Sequence, residues 1–126
     1  MDIQTKQLMN ILFLCTANIQ RSKTAELLFR QIYPEHRVKS AGLSRKYCER
    51  NGSTLCTAEH LDWAHLIFVM ERKHIDRINE HVGSRYDDKL INLNIDDVYQ
   101  FNDAALIRIL KGNELISQSL RDSCAR

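Results

Sequence analysis

The chain has 126 residues, with 18 basic and 16 acidic side chains that give a formal net charge of +2. This length is enough for one domain with a buried core and too short for two. The 44% hydrophobic and 27% charged residues are ordinary globular values, which argue against a disordered chain. The charge balance gives no reason to expect a surface for nucleic acid. We therefore treat residues 1–126 as a single domain, with residues 1–9 as a frayed, polar lead-in.

The apolar runs and the cysteines both bear on the compartment. The first apolar run, residues 11–14, is too short for a signal sequence or a membrane span. We therefore expect a cytoplasmic protein. Cysteines in a domain that can build a core do not indicate a disulfide framework. The four cysteines are Cys15, Cys48, Cys56 and Cys124.

Apolar periodicity predicts alternating strands and helices. The predicted strands are residues 10–14, 38–41, 66–70 and 89–93. The predicted helices are residues 22–33, 73–82 and 103–120, with a short helical turn after Thr57 and irregular chain over residues 43–56. Alternation of this kind favours a three-layer α/β/α sandwich around a four-stranded parallel sheet.

Three signals concern helix ends. Thr57 is a predicted N-cap, and His60 occupies the capping-box position three residues later. Gly83 is a predicted C-cap, and Gly112 is a weak point in the last helix.

Ligands of such α/β folds bind beyond the carboxyl ends of the strands. The turn at residues 15–22, after the first strand, is therefore the first place to look for a site.

This turn carries the candidate chemistry, since a cysteine ends the strand and Arg21 and Ser22 begin the helix. Backbone N–H groups at a helix N-terminus can surround a tetrahedral oxyanion, and Arg21 can bind two phosphate oxygens at once. The same field stabilises a thiolate, which makes Cys15 a candidate nucleophile to which Ser22 can donate. The alternative is a buried structural cysteine. The candidate phosphate-binding residues are Thr16, Ala17, Asn18, Ile19, Gln20, Arg21 and Ser22.

Expelling the leaving group of a phosphate ester requires a proton donor. That acid must face the turn, so we expect it beyond the carboxyl end of another strand. Asp96 and Asp97 directly follow the fourth predicted strand, and either could serve. An acidic pair with a purely structural role is the third possibility.

At these positions the chain resembles the low-molecular-weight protein tyrosine phosphatase family, most closely its short, phosphatase-like branch. The resemblance covers about residues 10–110. It is carried by the strand, loop and helix over residues 11–26, Ser-Ala-Gly at 40–42, residues 61–71, and Ile-Asp-Asp-Val-Tyr at 95–99.

The resemblance implies a protein-tyrosine phosphatase that acts through a cysteinyl-phosphate on phosphorylated proteins or small phosphomonoesters, without metal or cofactor. By resemblance Cys15 is the nucleophile, Arg21 holds the phosphate and Asp97 is the general acid. Asn18 then supports the loop with help from Ser40, in agreement with the tolerance of Asn for left-handed backbone angles.

The chain departs from the family pattern at several positions. Gln20 replaces a second loop cysteine, so the family's disulfide switch is expected to be absent, and Val98 replaces a loop proline. Only residues 43–60 are available for an aromatic wall, which predicts a shallower pocket. Tyr99 and Phe101 are predicted to line the entrance, with core packing as the alternative.

Other functions fit parts of the sequence. Thioredoxin-coupled arsenate reductases have a similar nucleophile loop and a cysteine relay, but Cys48 and Cys56 precede the third strand instead of following it. A zinc site from these cysteines with His60 and His65 has no recognised spacing. A cysteine phosphocarrier needs neither Arg21 nor a downstream Asp. A non-catalytic phosphate-binding module remains a further alternative.

Four other residues have no expected role in the site. Trp63 is expected in the core, Cys124 at the surface, and His74 and His81 away from the site.

Overall fold

A four-stranded parallel sheet forms the centre of the molecule. The structure, a computed structural model, describes residues 8–124, the last two by their backbone only. The strands are β1 (Asn10–Cys15), β2 (Arg37–Gly42), β3 (Leu66–Val69) and β4 (Leu90–Asn92), in the order β2-β1-β3-β4. Every pairing is parallel. The predicted α/β architecture is confirmed.

Six α-helices accompany the sheet within residues 8–124. They are α1 (Arg21–Ile32), α2 (Arg45–Asn51), α3 (Ala58–Trp63), α4 (Arg72–Val82), α5 (Ala104–Lys111) and α6 (Glu114–Cys124). A 3₁₀ helix, Gly83–Lys89, leads into β4. None of these helices is both long and apolar enough to cross a membrane.

Two apolar clusters cover the two faces of the sheet, and β1 contributes alternate residues to both. Phe13 packs with residues of α1, α5 and α6 on one face, among them Phe29 at a ring-centroid distance of 5.4 Å. Leu12 and Leu14 pack on the other face with residues of α3 and α4, such as Ile78. Burial on both faces explains why β1 reads as a continuous apolar run.

The region predicted to be irregular contains α2. The hydroxyl of Ser44 accepts from the N–H of Tyr47 at 3.2 Å and caps its start, and Gly52, with φ of 63°, ends it in the left-handed region. Cys48 is the single buried residue of this helix, so the helix has no apolar stripe that periodicity could detect. The irregular-chain prediction is wrong here for that reason.

The final predicted helix is divided at the position of its weak point. After α5, Gly112 ends the helix, and the side chain of Asn113 accepts from the N–H of Ile116 at 3.2 Å to begin α6.

The predicted capping box at the start of α3 is confirmed, because Nδ1 of His60 accepts from the N–H of Thr57 at 3.0 Å.

The predicted lead-in falls partly outside the described residues, which begin at Leu8. Leu8 is exposed, but Met9 is buried in the core, and its N–H donates to Nδ1 of His36 at 3.1 Å. Met9 therefore belongs to the core and not to a frayed lead-in, and the prediction for residues 1–7 lies outside the described residues. Trp63 is half-buried at the edge of the second cluster, with Nζ of Lys39 at 4.4 Å from its ring centroid.

Candidate active site

In the loop between β1 and α1, residues 16–20, two carbonyl groups accept hydrogen bonds from neighbouring segments. The carbonyl of Thr16 accepts from the N–H groups of Leu43 and Ser44, both at 3.0 Å, and that of Ala17 accepts from the hydroxyl of Ser53. The N–H groups of residues 16–20 make no hydrogen bond within the described part of the chain. They remain available to an oxyanion at the N-terminus of α1.

A chain of hydrogen bonds behind the loop leads to Cys15. Asn18 has φ of 56°, and its Nδ2 donates to the hydroxyls of Ser22 at 2.8 Å and Ser40 at 2.9 Å. The hydroxyl of Ser40 in turn donates to the carboxylate of Glu26. Since the oxygen of Ser22 accepts from Asn18, its own proton can point to Sγ of Cys15, which lies 2.9 Å away. Ser22 thereby places a hydrogen-bond donor at the candidate nucleophile.

Arg21, only 1% exposed, is held by groups that follow the third and fourth strands. Its Nη1 donates to Oε2 of Glu71 at 2.6 Å and to the carbonyl of Ile95 at 2.7 Å. Its buried Nε has no hydrogen-bond partner among the described residues and lies 3.7 Å from Oδ1 of Asp97. An unpaired buried donor of this kind is costly unless a ligand engages it.

A cavity of about 350 Å³ opens over the loop and contains both Cys15 and Asp97 in its lining. The structure therefore brings Asp97 to the predicted nucleophile, whereas Asp96 is exposed and does not line this cavity. The lining residues are Cys15, Thr16, Ala17, Ile19, Gln20, Arg21, Tyr47, Asn51, Lys73 and Asp97.

The aromatic side chain in this lining is Tyr47 of α2, which is 42% exposed. Tyr99 does not line this cavity and packs half-buried against the core, which is the alternative that the sequence left open for it. Phe101, 46% exposed, lines a neighbouring depression that it shares with Ile19. Sequence reasoning missed Tyr47 because it lies on a helix that was not predicted.

His74 lies beside the loop and not away from it, so that prediction is wrong. The imidazole is 3% exposed, and its Nε2 is 3.0 Å from Oγ1 of Thr16. Burial, together with the charge of Arg21, lowers the pKa of His74 to about 4. Burial raises the pKa of Glu71, but the hydrogen bond and charge of Arg21 outweigh it and leave that pKa below its usual value. Both residues follow the carboxyl end of β3. A position after a strand end is also the signal that indicated Asp97, which follows the fourth strand.

Cys48 packs under the loop from α2. Its Sγ lies 3.9 Å from the carbonyl of Thr16 and 3.7 Å from that of Ala17. A Cβ at Gly42 would lie 2.5 Å from this sulfur and 2.7 Å from the Thr16 carbonyl. The close approach of β2 to the loop therefore requires a glycine at position 42.

Other groups considered from the sequence have structural contacts of their own. Burial, followed by the neighbouring Cys48, raises the pKa of the Cys56 thiol to about 12, so this thiol stays protonated at neutral pH. His60 caps α3, and Nδ1 of His65 accepts from the N–H of Asn10 at 2.8 Å. In the described part of the chain, no three His, Cys, Asp or Glu side chains form a group that could hold a metal ion. Cys124 lies outside the described side chains.

Known proteins share this loop and fold. A family model described as low molecular weight phosphotyrosine protein phosphatase matches residues 10–56. The chain is 35% identical over 97 residues to the probable low molecular weight protein-tyrosine-phosphatase AmsI of Erwinia amylovora, a match that covers 60% of this chain and 67% of that protein. It is also 35% identical over 94 residues to Wzb, named a low molecular weight protein-tyrosine-phosphatase, of Escherichia coli strain K12. That match covers 56% of this chain and 60% of that protein.

Solved structures of similar proteins also superimpose on this chain. The crystal structure of the Erwinia amylovora tyrosine phosphatase AmsI superimposes with a TM-score of 0.68 at 25% identity, over 99% of both chains. The structure of the YwlE arginine phosphatase from Geobacillus stearothermophilus superimposes with a TM-score of 0.57 at 27% identity. It covers 90% of this chain and 88% of that one. Together with the sequence matches and the loop geometry, they show that the chain belongs to the low molecular weight protein-tyrosine phosphatase family, whose enzymes are cysteine-based phosphatases.

Proposed function

We propose that this phosphatase hydrolyses phosphotyrosine in proteins, with Cys15, Arg21 and Asp97 as its catalytic residues. One observation carries the proposal: Cys15 and Arg21, whose buried Nε is unpaired among the described residues, line one cavity together with a loop whose N–H groups make no hydrogen bond within those residues. A dianionic phosphoryl group satisfies all of these donors at once.

The first step is in-line attack of the Cys15 thiolate on phosphorus. The sulfur–phosphorus bond forms as the phosphorus–oxygen bond to the substrate breaks, and the loop amides with Arg21 stabilise the three equatorial oxygens. The hydroxyl of Ser22 stabilises the thiolate before attack. The first product is a cysteinyl-phosphate together with the departing phenolate oxygen.

Asp97 completes both half-reactions. Its carboxyl group protonates the departing oxygen and becomes a carboxylate, which then removes a proton from the water that attacks the cysteinyl-phosphate. Hydrolysis releases inorganic phosphate and returns the sulfur as a thiolate. The cavity lining that Asp97 shares with Cys15 supports this role.

The apolar and aromatic groups of the cavity support an aryl phosphate as substrate. Tyr47 and Ile19 line it, and a tyrosine ring of the substrate gains stabilisation from packing against them. A phosphorylated arginine is the second candidate, because the similar YwlE protein of Geobacillus stearothermophilus is named an arginine phosphatase. In that case the phosphorus–nitrogen bond would break, and the Asp97 carboxyl group would protonate the departing guanidine nitrogen.

We also propose that the enzyme acts in the cytoplasm on phosphorylated protein. Cys15, Cys48 and Cys56 are all free thiols in the structure, which is the ordinary state of cysteines in a reducing compartment.

The test compares wild type with Cys15→Ser on para-nitrophenyl phosphate, a phosphotyrosine peptide and a phosphoarginine peptide. We expect Cys15→Ser to lower turnover by at least about a thousandfold, since the nucleophile is lost. Cys56→Ser is the matched control and retains wild-type turnover. Full activity of Cys15→Ser would refute the mechanism. Faster turnover of phosphoarginine than of phosphotyrosine would replace the proposed substrate with the second candidate.

A further inference from the structure

The first turn of α4 contacts both ends of the phosphate loop. Glu71, the residue that precedes the helix, binds Nη1 of Arg21 at 2.6 Å. His74, three residues later, contacts Oγ1 of Thr16 at 3.0 Å. Thr16 is the first residue after Cys15, and Arg21 is the residue at which the loop enters α1. One helical turn therefore contacts the beginning and the end of the loop.

The cap of α4 determines the direction of the hydrogen bond to Thr16. Nδ1 of His74 lies 3.1 Å from the backbone N–H of Glu71. This N–H can only donate, so Nδ1 carries a lone pair and the proton of the neutral ring is on Nε2. Nε2 therefore donates to Oγ1 of Thr16, and the Thr16 hydroxyl keeps its own proton for another acceptor.

The neutral ring is consistent with the charges around His74. Burial and the Arg21 guanidinium disfavour a second proton, while the Glu71 and Asp97 carboxylates favour one and Lys73 disfavours it. The balance lowers the pKa of His74 to about 4. A protonated ring would also lose its acceptor for the N–H of Glu71.

We propose that His74 is a positioning residue which, together with Glu71, holds the two ends of the phosphate loop at the separation that the reaction requires. This inference rests on the proposed function of the loop. The side chain of Thr16 is β-branched, so a hydrogen bond to its hydroxyl restricts χ1 and the backbone next to Cys15. Small displacements of groups that surround a transition state are expensive in rate.

Helix capping alone does not account for the contact with Thr16. His60 caps α3 in the same way, with Nδ1 accepting from the N–H of Thr57 at 3.0 Å. It has no contact with the phosphate loop among its described interactions. His60 therefore provides a matched control in which the same substitution alters a cap and leaves the loop untouched.

The experiment uses His74→Asn, His74→Gln, Thr16→Val, the double variant His74→Asn/Thr16→Val and the control His60→Asn. The amide oxygen of Asn can replace Nδ1 and keep the cap, but its side chain is too short to reach Thr16. The amide nitrogen of Gln can replace Nε2 as donor. Steady-state kinetics on para-nitrophenyl phosphate and the inhibition constant for vanadate are measured for each protein, with the affinity for inorganic phosphate by calorimetry.

We expect His74→Asn to lower kcat by about three- to tenfold, the effect of one hydrogen bond, and to weaken vanadate by a similar factor. KM changes less, because the positioned donors act mainly on the transition state. His74→Gln recovers part of the loss, and the double variant is no worse than His74→Asn. His60→Asn retains wild-type kinetics.

Two outcomes would overturn the proposal. In the first, the losses of His74→Asn and Thr16→Val multiply in the double variant, so the two side chains act independently. In the second, His74→Asn has the kinetics of His60→Asn. If wild type hydrolyses none of the substrates, the same cycle is evaluated on phosphate affinity. Non-multiplying losses would then support the positioning role although the proposed reaction had failed.

Discussion

Two adjacent carboxylates, Asp96 and Asp97, have different surroundings. Asp97 has a side chain that is 54% exposed, and it lies 3.7 Å from Nε of Arg21 in the lining of the phosphate cavity. Asp96 is exposed and lies outside that lining. A general acid must reach the leaving oxygen directly or through one water. Of the two residues, Asp97 is the one that lines the cavity in which we propose that the substrate binds.

The first prediction concerns Asp97→Asn. The variant should lose about 10²–10⁴ in turnover of phosphotyrosine, because the departing phenolate is a strong base that needs a proton. It should lose far less on a dinitrophenyl phosphate, whose leaving group needs no protonation. Stopped-flow or steady-state measurements on both substrates provide the comparison.

Asp96→Asn serves as the control for Asp97→Asn, since it removes the same charge one residue away. Its turnover should stay within about threefold of wild type on both substrates, as expected for an exposed side chain that does not line the cavity. An equal loss on the two substrates for Asp97→Asn would contradict its assignment as general acid.

Among the helices, α2 supplies the aromatic side of the site. Tyr47 lines the cavity, and the cations of Lys46 and Arg50 lie 5.6 and 5.7 Å from the centroid of its ring. The helix rests on the loop through Cys48. The buried sulfur thereby packs the helix that carries Tyr47 against the loop.

The second prediction is that Tyr47→Ala raises KM for a phosphotyrosine peptide by about three- to tenfold, with kcat changed less. This is the range of one aromatic packing contact. Inhibition by inorganic phosphate should stay at its wild-type level, because inorganic phosphate has no aryl group to pack against the ring. Kinetics on the peptide and inhibition by phosphate test the two statements separately.

Phe101→Ala is the aromatic control, since Phe101 lines the neighbouring depression. It should change KM for the same peptide by less than Tyr47→Ala does. If Tyr47→Ala weakened phosphate as much as the peptide, Tyr47 would act by supporting the loop and not by packing against substrate.

For the molecule as a whole, the buried ionisable groups make stability depend on pH. Burial, aided by Arg21, lowers the pKa of His74 from 6.5 to about 4 in the folded state. Between these values the unfolded chain binds more protons at this residue than the folded one does. The free energy of unfolding therefore falls as the pH falls through this window.

The third prediction follows from that linkage. From pH 7 to pH 5, His74 should remove about 2 kcal/mol from the free energy of unfolding, and His74→Asn should lack this contribution. The window lies above the lowered pKa of Glu71, so the carboxylate contributes little to it. Urea unfolding of both proteins at the two pH values measures the difference.

His81→Asn is the control for the pH experiment. His81 is exposed on α4 and bonds only to the carbonyl of Arg77 at 3.0 Å among its described interactions. Its variant should keep the pH dependence of wild type. Identical pH dependence of wild type and His74→Asn would contradict a neutral, buried His74.

How much could be predicted from the sequence differs between the elements. Sheet strands such as β1 and β3 are short apolar runs, and burial on both faces makes such runs conspicuous. The helix α2 has one buried residue, Cys48, and therefore no stripe that periodicity could detect. The division between α5 and α6 depends on the side chain of Asn113, which the apolar pattern does not register.

The same distinction holds inside the candidate site. The loop, Cys15 and Arg21 are contiguous in the chain, so their pattern indicates an anion site without reference to the rest of the fold. Glu71 and His74 come to the loop across the β1–β3 pairing, and their contacts with Arg21 and Thr16 span 50 and 58 residues of sequence. Their roles as loop contacts could not be predicted before the strand order was known.

The parallel α/β architecture and the position of the phosphate loop follow from the order of amino acids alone, because both depend on local backbone properties and on which residues are apolar. The contacts of Tyr47 and His74 with the site are known only from the folded molecule, which also places Asp97 and not Asp96 in the lining of the cavity. Those contacts depend on the order in which parallel strands lie side by side, and this order brings together residues that are distant in the chain.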